Sequence, residues 1–312
     1  MIKTFKQIAK KDVSIAGGKG ASLGEMTKAD MPVPNGFVVT ARTFEHFLED
    51  SDLKVEIDAI LRKVRHTDIN SVQEASEKIV ALISNAQIPK DISGAIMQGF
   101  KRLNSPHVAV RSSATAEDSK IASWAGELES YLNVDDKNLL ESVKKCWASL
   151  FTPRAIFYRF EKKLYRQGIS VAVVVQTMVQ ADVSGIAFTV HPVTEDRDQM
   201  VIEAGLGLGE AIVGGLITPD TYVIGKKKLS IMDLNVGMQR MAIVRSKNGT
   251  KEKIILKSLG SKQKLTDAQI IRLAKLCLSV EKHYRAPQDI EWAMSNKGRF
   301  YILQSRPITT LL

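Results

Sequence analysis

The chain has 312 residues, of which 44% are apolar and 25% are charged, and it carries a formal net charge of +10. This composition is ordinary for a globular protein, and the length favours two domains or two lobes. No apolar run is long enough to span a membrane, and the N-terminal segment MIKTFKQIAKKD lacks the apolar stretch of a secretory signal. We therefore expect a cytoplasmic protein with no membrane association.

The positions of the cysteines and lysines further restrict the class of protein. Cys146 and Cys277 lie far apart, each in an apolar helical pattern, which predicts buried thiols in a reducing compartment rather than a disulfide. The lysines are dispersed, the longest run being Lys226–Lys228, and no aromatic residues alternate with them as a base-stacking surface would require. The positive charge also suits phosphorylated small molecules, so a nucleic-acid partner is a minority interpretation.

The first motif is AGGKGASLGEM, from Ala16 to Met26. Three glycines surround Lys19, and the residues from Ala21 onward could open a helix. Backbone N–H groups and a lysine at a helix N-terminus would suit an anion. The spacing is not that of a Walker A loop, because Lys19 is followed by Gly20 rather than Ser or Thr. A structural glycine turn explains the motif equally well.

The next elements are predicted from apolar periodicity. A strand from Phe37 to Thr40 precedes helical patterns at about 53–103 and 136–151. Thr152 and Pro153 suit the N-cap and the first position of another helix.

Between these helices, a short strand at Val108–Val110 ends in Arg111 and runs into a segment rich in Ser, Thr, Ala and Gly. Such a segment could close around phosphate oxygens, since small residues let the backbone approach a ligand. Arg111 could bind a phosphate through two parallel hydrogen bonds. A solvated serine-rich loop is the alternative, and this segment alone does not decide between them.

An almost continuous apolar run at 171–178 predicts a central strand. We interpret 181–185 as a turn into a second strand at 186–190. A strand followed by such a turn could hold an adenine, although an ordinary hairpin also fits. The base would be lined by Gln176, Met178 and Val179.

The second half of the chain is richer in strands. The segment GLGLGEAIVGG at 205–215 resembles a dinucleotide fingerprint but departs from it, because Glu210 stands in place of the third glycine. Thr266 and Gln269 have capping-box spacing at the start of a helix that ends near Tyr284. Further strands are predicted at 221–225, 229–234, 242–246 and 253–257.

The last two predicted strands, 289–294 and 299–306, form a hairpin. With an even loop centred on Lys297 and Gly298, Glu291 lies opposite Gln304 and Asp289 lies opposite Arg306. A carboxylate beside an amide oxygen could seat Mg²⁺, which keeps its other positions for water and phosphate oxygens, and the arginine could hold the phosphates. A cross-strand salt bridge on a solvated face is the alternative.

Five motifs in a fixed order together resemble a known family. They are GGKGA (17–21), VPNGF (33–37), VRSSATAED (110–118), SGIAFT (184–189), and DIEW (289–292) with LQSRP (303–307). They resemble the N-terminal ATP-grasp domain of the phosphoenolpyruvate synthase (pyruvate, water dikinase) family, which pyruvate, phosphate dikinase and rifampicin phosphotransferase share. The resemblance spans nearly the whole chain. It implies an α+β ATP-grasp fold of two lobes, 1–181 and 182–312, with the nucleotide bound in the cleft between them.

The resemblance also implies a role for each motif. The catalytic residues, which would contact the phosphates of ATP, are Lys19, Arg111 and Arg306. The residues that would bind Mg²⁺ are Glu291 and Gln304. The loop that would close over the phosphates contributes Ser123, Trp124, Ala125 and Gly126. The adenine would be held by Gln176, Met178 and Val179.

The implied chemistry is transfer of the diphosphoryl group of ATP to a histidine of a swivelling domain; the complete system converts pyruvate, ATP and water to phosphoenolpyruvate, AMP and phosphate. Trp124 and His191 depart from the family pattern, which has Phe and a small polar residue there. None of the five histidines has the Thr-Ser-His-Ala setting of the carrier histidine. We therefore expect the swivelling and pyruvate-binding domains on another chain or on a longer parent protein.

Three alternatives stay open from the sequence. The chain could be the ATP domain of a rifampicin-phosphotransferase-like or of a pyruvate, phosphate dikinase-like enzyme. It could also be a non-catalytic nucleotide-binding module.

Overall fold

The computed structural model of the chain describes residues 1–115, 129–161, 170–247 and 249–308. The helices in these ranges are Val13–Lys28 (α1), Ala41–Asp50 (α2), Leu53–Arg62 (α3), Ile69–Asn85 (α4), Lys90–Leu103 (α5), Leu139–Ala148 (α6), Pro153–Glu161 (α7), Glu210–Val213 (α8), Lys257–Gly260 (α9) and Asp267–Tyr284 (α10). The strands are Ile2–Thr4 (β1), Gly36–Val39 (β2), Val108–Ala114 (β3), Ser130–Val134 (β4), Val171–Thr177 (β5), Ala181–Phe188 (β6), Gln199–Leu206 (β7), Asp220–Gly225 (β8), Ser230–Asn235 (β9), Met241–Arg245 (β10), Thr250–Ile254 (β11), Gln288–Ser295 (β12) and Phe300–Pro307 (β13). This mixture confirms the predicted α+β class. None of the described helices is both long enough and apolar enough to cross a bilayer.

The chain divides into two compact units. The first consists of Met1–Lys28 and Asn35–Met178, and the second of Ala29–Pro34 and Val179–Leu312. The short segment Ala29–Pro34 belongs with the second unit, where the Ile302 N–H donates to the Pro32 carbonyl at 2.9 Å.

The first unit is built on a five-stranded antiparallel sheet in the order β1-β2-β5-β3-β4. β5 lies in its middle, as its continuous apolar run predicted, because a central strand is covered on both faces. Val171, Val173 and Val175 fill the main core, against which α2 and α6 pack. Val174 and Gln176 lie on the other face, which contacts α1.

The second unit contains a six-stranded antiparallel sheet in the order β13-β12-β6-β7-β8-β9 and a separate β10-β11 hairpin. α10 packs against the large sheet, one face of which buries Ile202, Ile290 and Trp292. The turn predicted at 181–185 is wrong, because these residues begin β6. Residues 183–185 pair with both β12 and β7, and this long-range pairing overrides the local turn preference.

Three local predictions are confirmed. Thr266 and Gln269 form the capping box of α10, with the Thr266 N–H donating to Gln269 Oε1 at 2.8 Å. Thr152 Oγ1 accepts from the Ala155 N–H at 3.2 Å at the start of α7. Cys146 and Cys277 are both buried free thiols.

Candidate functional site

The glycine-rich segment forms a turn from which a helix departs. Gly17 has φ 67° and ψ 174°, which interrupts α1, so a new helical segment follows it and carries Lys19 in its first turn. Ser113 on β3 holds this turn: its Oγ donates to the Ala16 carbonyl at 3.0 Å and accepts from the Gly20 N–H at 3.3 Å. The structure therefore contains the helix N-terminus that the sequence predicted beside Lys19, a half-buried residue.

Gly17→Ala is expected to lower the free energy of unfolding by about 1–3 kcal/mol, because this backbone conformation is reserved for glycine. A Cβ at this position would also lie 2.1 Å from Ser113 Oγ. Urea denaturation measures the change. Gly94→Ala is the matched control: Gly94 lies inside α5, and a Cβ added there would have no neighbour within 4 Å, so alanine should stabilise by about 1 kcal/mol. Equal effects of the two substitutions would contradict the prediction.

Arg111 lies on β3 with only 9% of its surface exposed. It is two residues from Ser113, so both side chains lie on the α1 face of the sheet, while Val110 and Ala114 fill the core on the other face. A nearly buried guanidinium is costly unless acceptors surround it, and its planar donors match a phosphate. The structure thus brings Arg111 and the helix that carries Lys19 to the same face.

The four residues predicted to close over the phosphates, Ser123, Trp124, Ala125 and Gly126, lie outside the described residues.

The segment predicted to hold a base ends β5. Gln176 is 2% exposed, and its Nε2 has no hydrogen-bond partner within the described ranges. The Met178 N–H donates to the His107 carbonyl at 3.1 Å, whereas the Met178 carbonyl and the Val179 N–H form no hydrogen bond with a described residue. Buried polar groups are normally paired. A purine edge could pair with a backbone donor and a backbone acceptor of this kind, and with the amide nitrogen of Gln176.

The β12-β13 hairpin has the predicted pairing at its open end: Glu291 lies opposite Gln304, and Asp289 lies opposite Arg306. The loop geometry differs from the prediction, because a β-bulge follows Glu291 and shifts the register by one residue toward the turn. Gln304 is 7% exposed and Glu291 is half-buried. The bulge therefore preserves the pair that the sequence suggested while the turn is centred on Lys297.

Arg306 makes a cross-strand salt bridge with Asp289, the alternative considered from the sequence. Its Nε and Nη2 donate to Asp289 Oδ2 at 2.9 and 2.7 Å. Burial raises the pKa of Asp289 above its usual range, with Glu291 adding to the rise and Arg306 opposing it. Asp289 therefore fixes the orientation of the guanidinium beside the Glu291–Gln304 pair.

Glu203 on β7 was missed by the sequence analysis. Ile186 on β6 pairs with Glu291 on one side and with Glu203 on the other, and directly paired residues of neighbouring strands share a face. Burial raises the pKa of Glu203, and the charge of Asp289 raises it further. The available signal was a single carboxylate inside the apolar run 200–204, but only the strand order shows that it faces the same side as Glu291.

Because the pKa of Glu203 is raised in the folded chain, the free energy of unfolding depends on pH. The folded chain holds the proton of the Glu203 carboxyl more tightly than the unfolded chain does. The protonated carboxyl therefore stabilises the folded chain at acid pH, and this stabilisation is lost as the pH rises through the raised pKa. We expect Glu203→Gln to be more stable than the wild type at neutral pH and to flatten the dependence measured by urea denaturation from about pH 4 to 8. Glu252→Gln, an exposed site on β11, is the control and should follow the wild-type curve. A Glu203→Gln curve parallel to the wild type would contradict the assignment.

His191 stabilises its own loop. Its Nδ1 accepts from the N–H groups of Val193 and Thr194 at 3.3 and 3.2 Å, and its carbonyl accepts from the Glu195 N–H at 2.8 Å. These contacts give His191 a structural role in its own loop.

The donor chemistry of the hairpin fits a hard cation. In the part of the chain that the structure describes, no three His, Cys, Asp or Glu side chains are grouped to hold a metal ion. Glu291 and Gln304 offer one carboxylate and one amide oxygen from paired positions of the hairpin, and Mg²⁺ prefers oxygen ligands.

Comparison with known sequences assigns the family. The family described as pyruvate phosphate dikinase, AMP/ATP-binding domain, matches residues 13–311. The chain belongs to this family, which confirms the predicted resemblance. Binding of an adenine nucleotide is the property that the family description names.

Two curated relatives cover almost the whole chain. The probable phosphoenolpyruvate synthase of Methanocaldococcus jannaschii is 45% identical over 99% of this chain and 27% of its own length. The rifampicin phosphotransferase of Bacillus subtilis is 40% identical over 100% of this chain and 36% of its own length. The chain thus spans about a quarter to a third of the length of these relatives. A crystal structure of D-alanyl-alanine synthetase A from Vibrio cholerae matches 75% of this chain and 54% of its own at 9% identity and a TM-score of 0.32, too distant to add to the assignment.

Proposed function

We propose that the chain is the MgATP-binding phosphotransferase domain of a phosphoenolpyruvate synthase system. It would donate the diphosphoryl group of ATP to a histidine of a swivelling domain and release AMP. In the complete system, pyruvate, ATP and water would yield phosphoenolpyruvate, AMP and phosphate. The observation that carries the proposal is the family match over residues 13–311.

The geometry of the first unit supports phosphate binding. Lys19 lies in the first turn of the helical segment that follows the Gly17 turn, and Arg111 lies on the sheet face that this helix covers. A helix N-terminus and two cations together attract an anion. Phosphoryl transfer depends mostly on positioning and charge neutralisation, so these residues can act without a nucleophile in this chain.

In the second unit, Glu291 and Gln304 would hold Mg²⁺, which would neutralise charge on the phosphate oxygens. Arg306, oriented by Asp289, would contact the phosphates beside the ion.

The adenine edge would bind at the end of β5, to Gln176, Met178 and Val179. The amide nitrogen of Gln176 and the backbone groups of the other two residues supply the donors and the acceptor that adenine needs.

A second candidate function differs from the first in the molecule that finally accepts the phosphoryl group. The 40% identity to a rifampicin phosphotransferase over the whole chain supports an ATP domain that works with the acceptor of that enzyme type instead. Since the chain spans only part of these relatives, the swivelling and pyruvate-binding domains would be supplied by another chain or by a longer parent protein.

Calorimetric titration with ATP, with and without Mg²⁺, tests the nucleotide site. Wild-type binding should strengthen with Mg²⁺, and Glu291→Gln should lose most of that gain because one charged ligand of the ion is removed. Glu252→Gln controls for the change in charge. AMP release would then be measured with the histidine domain of a phosphoenolpyruvate synthase and with that of a rifampicin phosphotransferase. Binding without AMP release with either domain would favour the non-catalytic module, and no binding would overturn the proposal.

A further inference from the structure

Ser113 bridges the two sides of the break in α1. Its Oγ donates to the Ala16 carbonyl at 3.0 Å and accepts from the Gly20 N–H at 3.3 Å. Ala16 and Gly20 are four residues apart, and in an uninterrupted α-helix the N–H of the later residue would donate to the carbonyl of the earlier one. A side chain from β3 therefore bonds to both members of a helical hydrogen-bond pair, at the position where Gly17 interrupts the helix.

The surroundings of this hydroxyl leave the turn little room to move. Ser113 is 0% exposed. The backbone of Gly17 approaches it so closely that an added Cβ would lie 2.3 Å from the Ser113 carbonyl oxygen. On its other side the turn packs against β2, where a Cβ on Gly20 would lie 3.1 Å from Val38 Cγ2. The turn therefore cannot shift along β3 without breaking one of the two hydrogen bonds to the serine.

The two hydrogen bonds fix the backbone of Lys19 relative to Arg111. Lys19 immediately precedes Gly20, whose N–H donates to the serine hydroxyl. Arg111 is two residues before Ser113 on β3. Residues two apart on a strand share a face and lie about 6.6 Å apart along it. One serine thus links the turn that carries Lys19 to the strand that carries Arg111.

We propose that Ser113 is a positioning residue of the phosphate site. It holds Lys19 at the spacing from Arg111 at which both cations reach the phosphates of one nucleotide. The inference rests on the proposed function, because it needs these two cations to contact ATP. Ser113 acts through Lys19, since its hydroxyl donates and accepts within the protein. Removing the hydroxyl therefore breaks the link but leaves both cations in the chain.

The test is calorimetric titration of the full chain with MgATP, using the wild type, Ser113→Ala, Lys19→Ala and the double variant. Ser113→Ala should weaken binding by about tenfold, because a displaced Lys19 loses much of a charge-assisted hydrogen bond. In the Lys19→Ala background the same substitution should change the affinity by less than about twofold, since the group that it positions is already absent. A general loosening of the fold would instead weaken binding by the same factor in both backgrounds.

Ser149→Ala is the matched control. Ser149 is 2% exposed, and its Oγ donates to the Cys146 carbonyl at 2.8 Å. This variant therefore also removes a buried hydroxyl that is bonded to a backbone carbonyl of the first unit, and it should bind MgATP like the wild type. Thermal melting shows whether each variant is folded at the temperature of the titration.

Several results would overturn the inference alone. They are wild-type affinity in Ser113→Ala or in Lys19→Ala, the same loss from Ser113→Ala with and without Lys19, and an equal loss in the Ser149→Ala control. Unfolding of Ser113→Ala below the titration temperature would also overturn it, because the serine would then support the whole fold rather than the phosphate site. A wild-type chain that binds no MgATP would be a different result, since it would overturn the proposed function and this inference with it.

Discussion

Lys264→Met is expected to lower the free energy of unfolding by about 3–5 kcal/mol, because it removes one partner of a fully buried ion pair. Lys264 Nζ lies 2.8 Å from Asp220 Oδ1, and both side chains are 0% exposed. Urea denaturation of the full chain, followed by a probe of the second unit, measures the loss. We expect a large fall in the denaturation midpoint.

The effect is large because every donor of this ammonium has an acceptor. Besides Asp220, Lys264 Nζ donates to the carbonyls of Gly237 and Gly260 at 2.7 and 2.8 Å. Asp220 in turn accepts from the Tyr222 hydroxyl at 2.7 Å and from the Gly237 N–H at 3.0 Å. Methionine would fill the space of the lysine stem but leave a buried carboxylate without its counter-charge, and the carbonyls of Gly237 and Gly260 would each lose the hydrogen bond from the ammonium.

Lys227→Met is the control for this prediction. Lys227 also pairs with a carboxylate, Asp198, at 2.6 Å, but both side chains are largely exposed. Water screens such a pair, so the control should leave the free energy of unfolding almost unchanged. If Lys264→Met were as mild as the control, the buried network would not be a determinant of stability.

Arg111→Ala is expected to weaken MgATP binding by about 10- to 150-fold, because one or more charge-assisted hydrogen bonds to phosphate would be lost. Arg111 is the nearly buried cation on the α1 face of the first sheet, so its guanidinium already lies in surroundings that enhance electrostatic interactions. Calorimetric titration measures the change. Arg111→Lys should fall between the wild type and alanine, because it keeps the charge but loses the planar fork.

Arg62→Ala removes an equal charge from the exposed end of α3 and should leave the affinity unchanged. Melting temperatures of the variants establish whether Arg111→Ala still folds. If folded Arg111→Ala bound MgATP like the wild type, Arg111 would not contact the nucleotide, and the phosphate site of the first unit would have to be reassigned.

Local sequence signals predicted the elements whose causes lie within a few residues. The capping box of Thr266 and Gln269 and the N-cap of α7 involve contacts three residues apart, and both are present. The apolar run of β5 was enough to place it centrally, since only a strand covered on both faces tolerates it. The ordered motifs also identified the family correctly.

Other features depended on contacts between residues far apart in the sequence. The Gly17 turn is held by Ser113, and the start of β6 was misjudged as a turn because its partners are on β7 and β12. The sequence alone thus determined local helix and strand preferences, the family and the Glu291–Gln304 pair. Only the tertiary structure decided that Glu203 shares their face and that Lys264 is buried, because strand order and burial arise from long-range packing, which residue spacing does not specify.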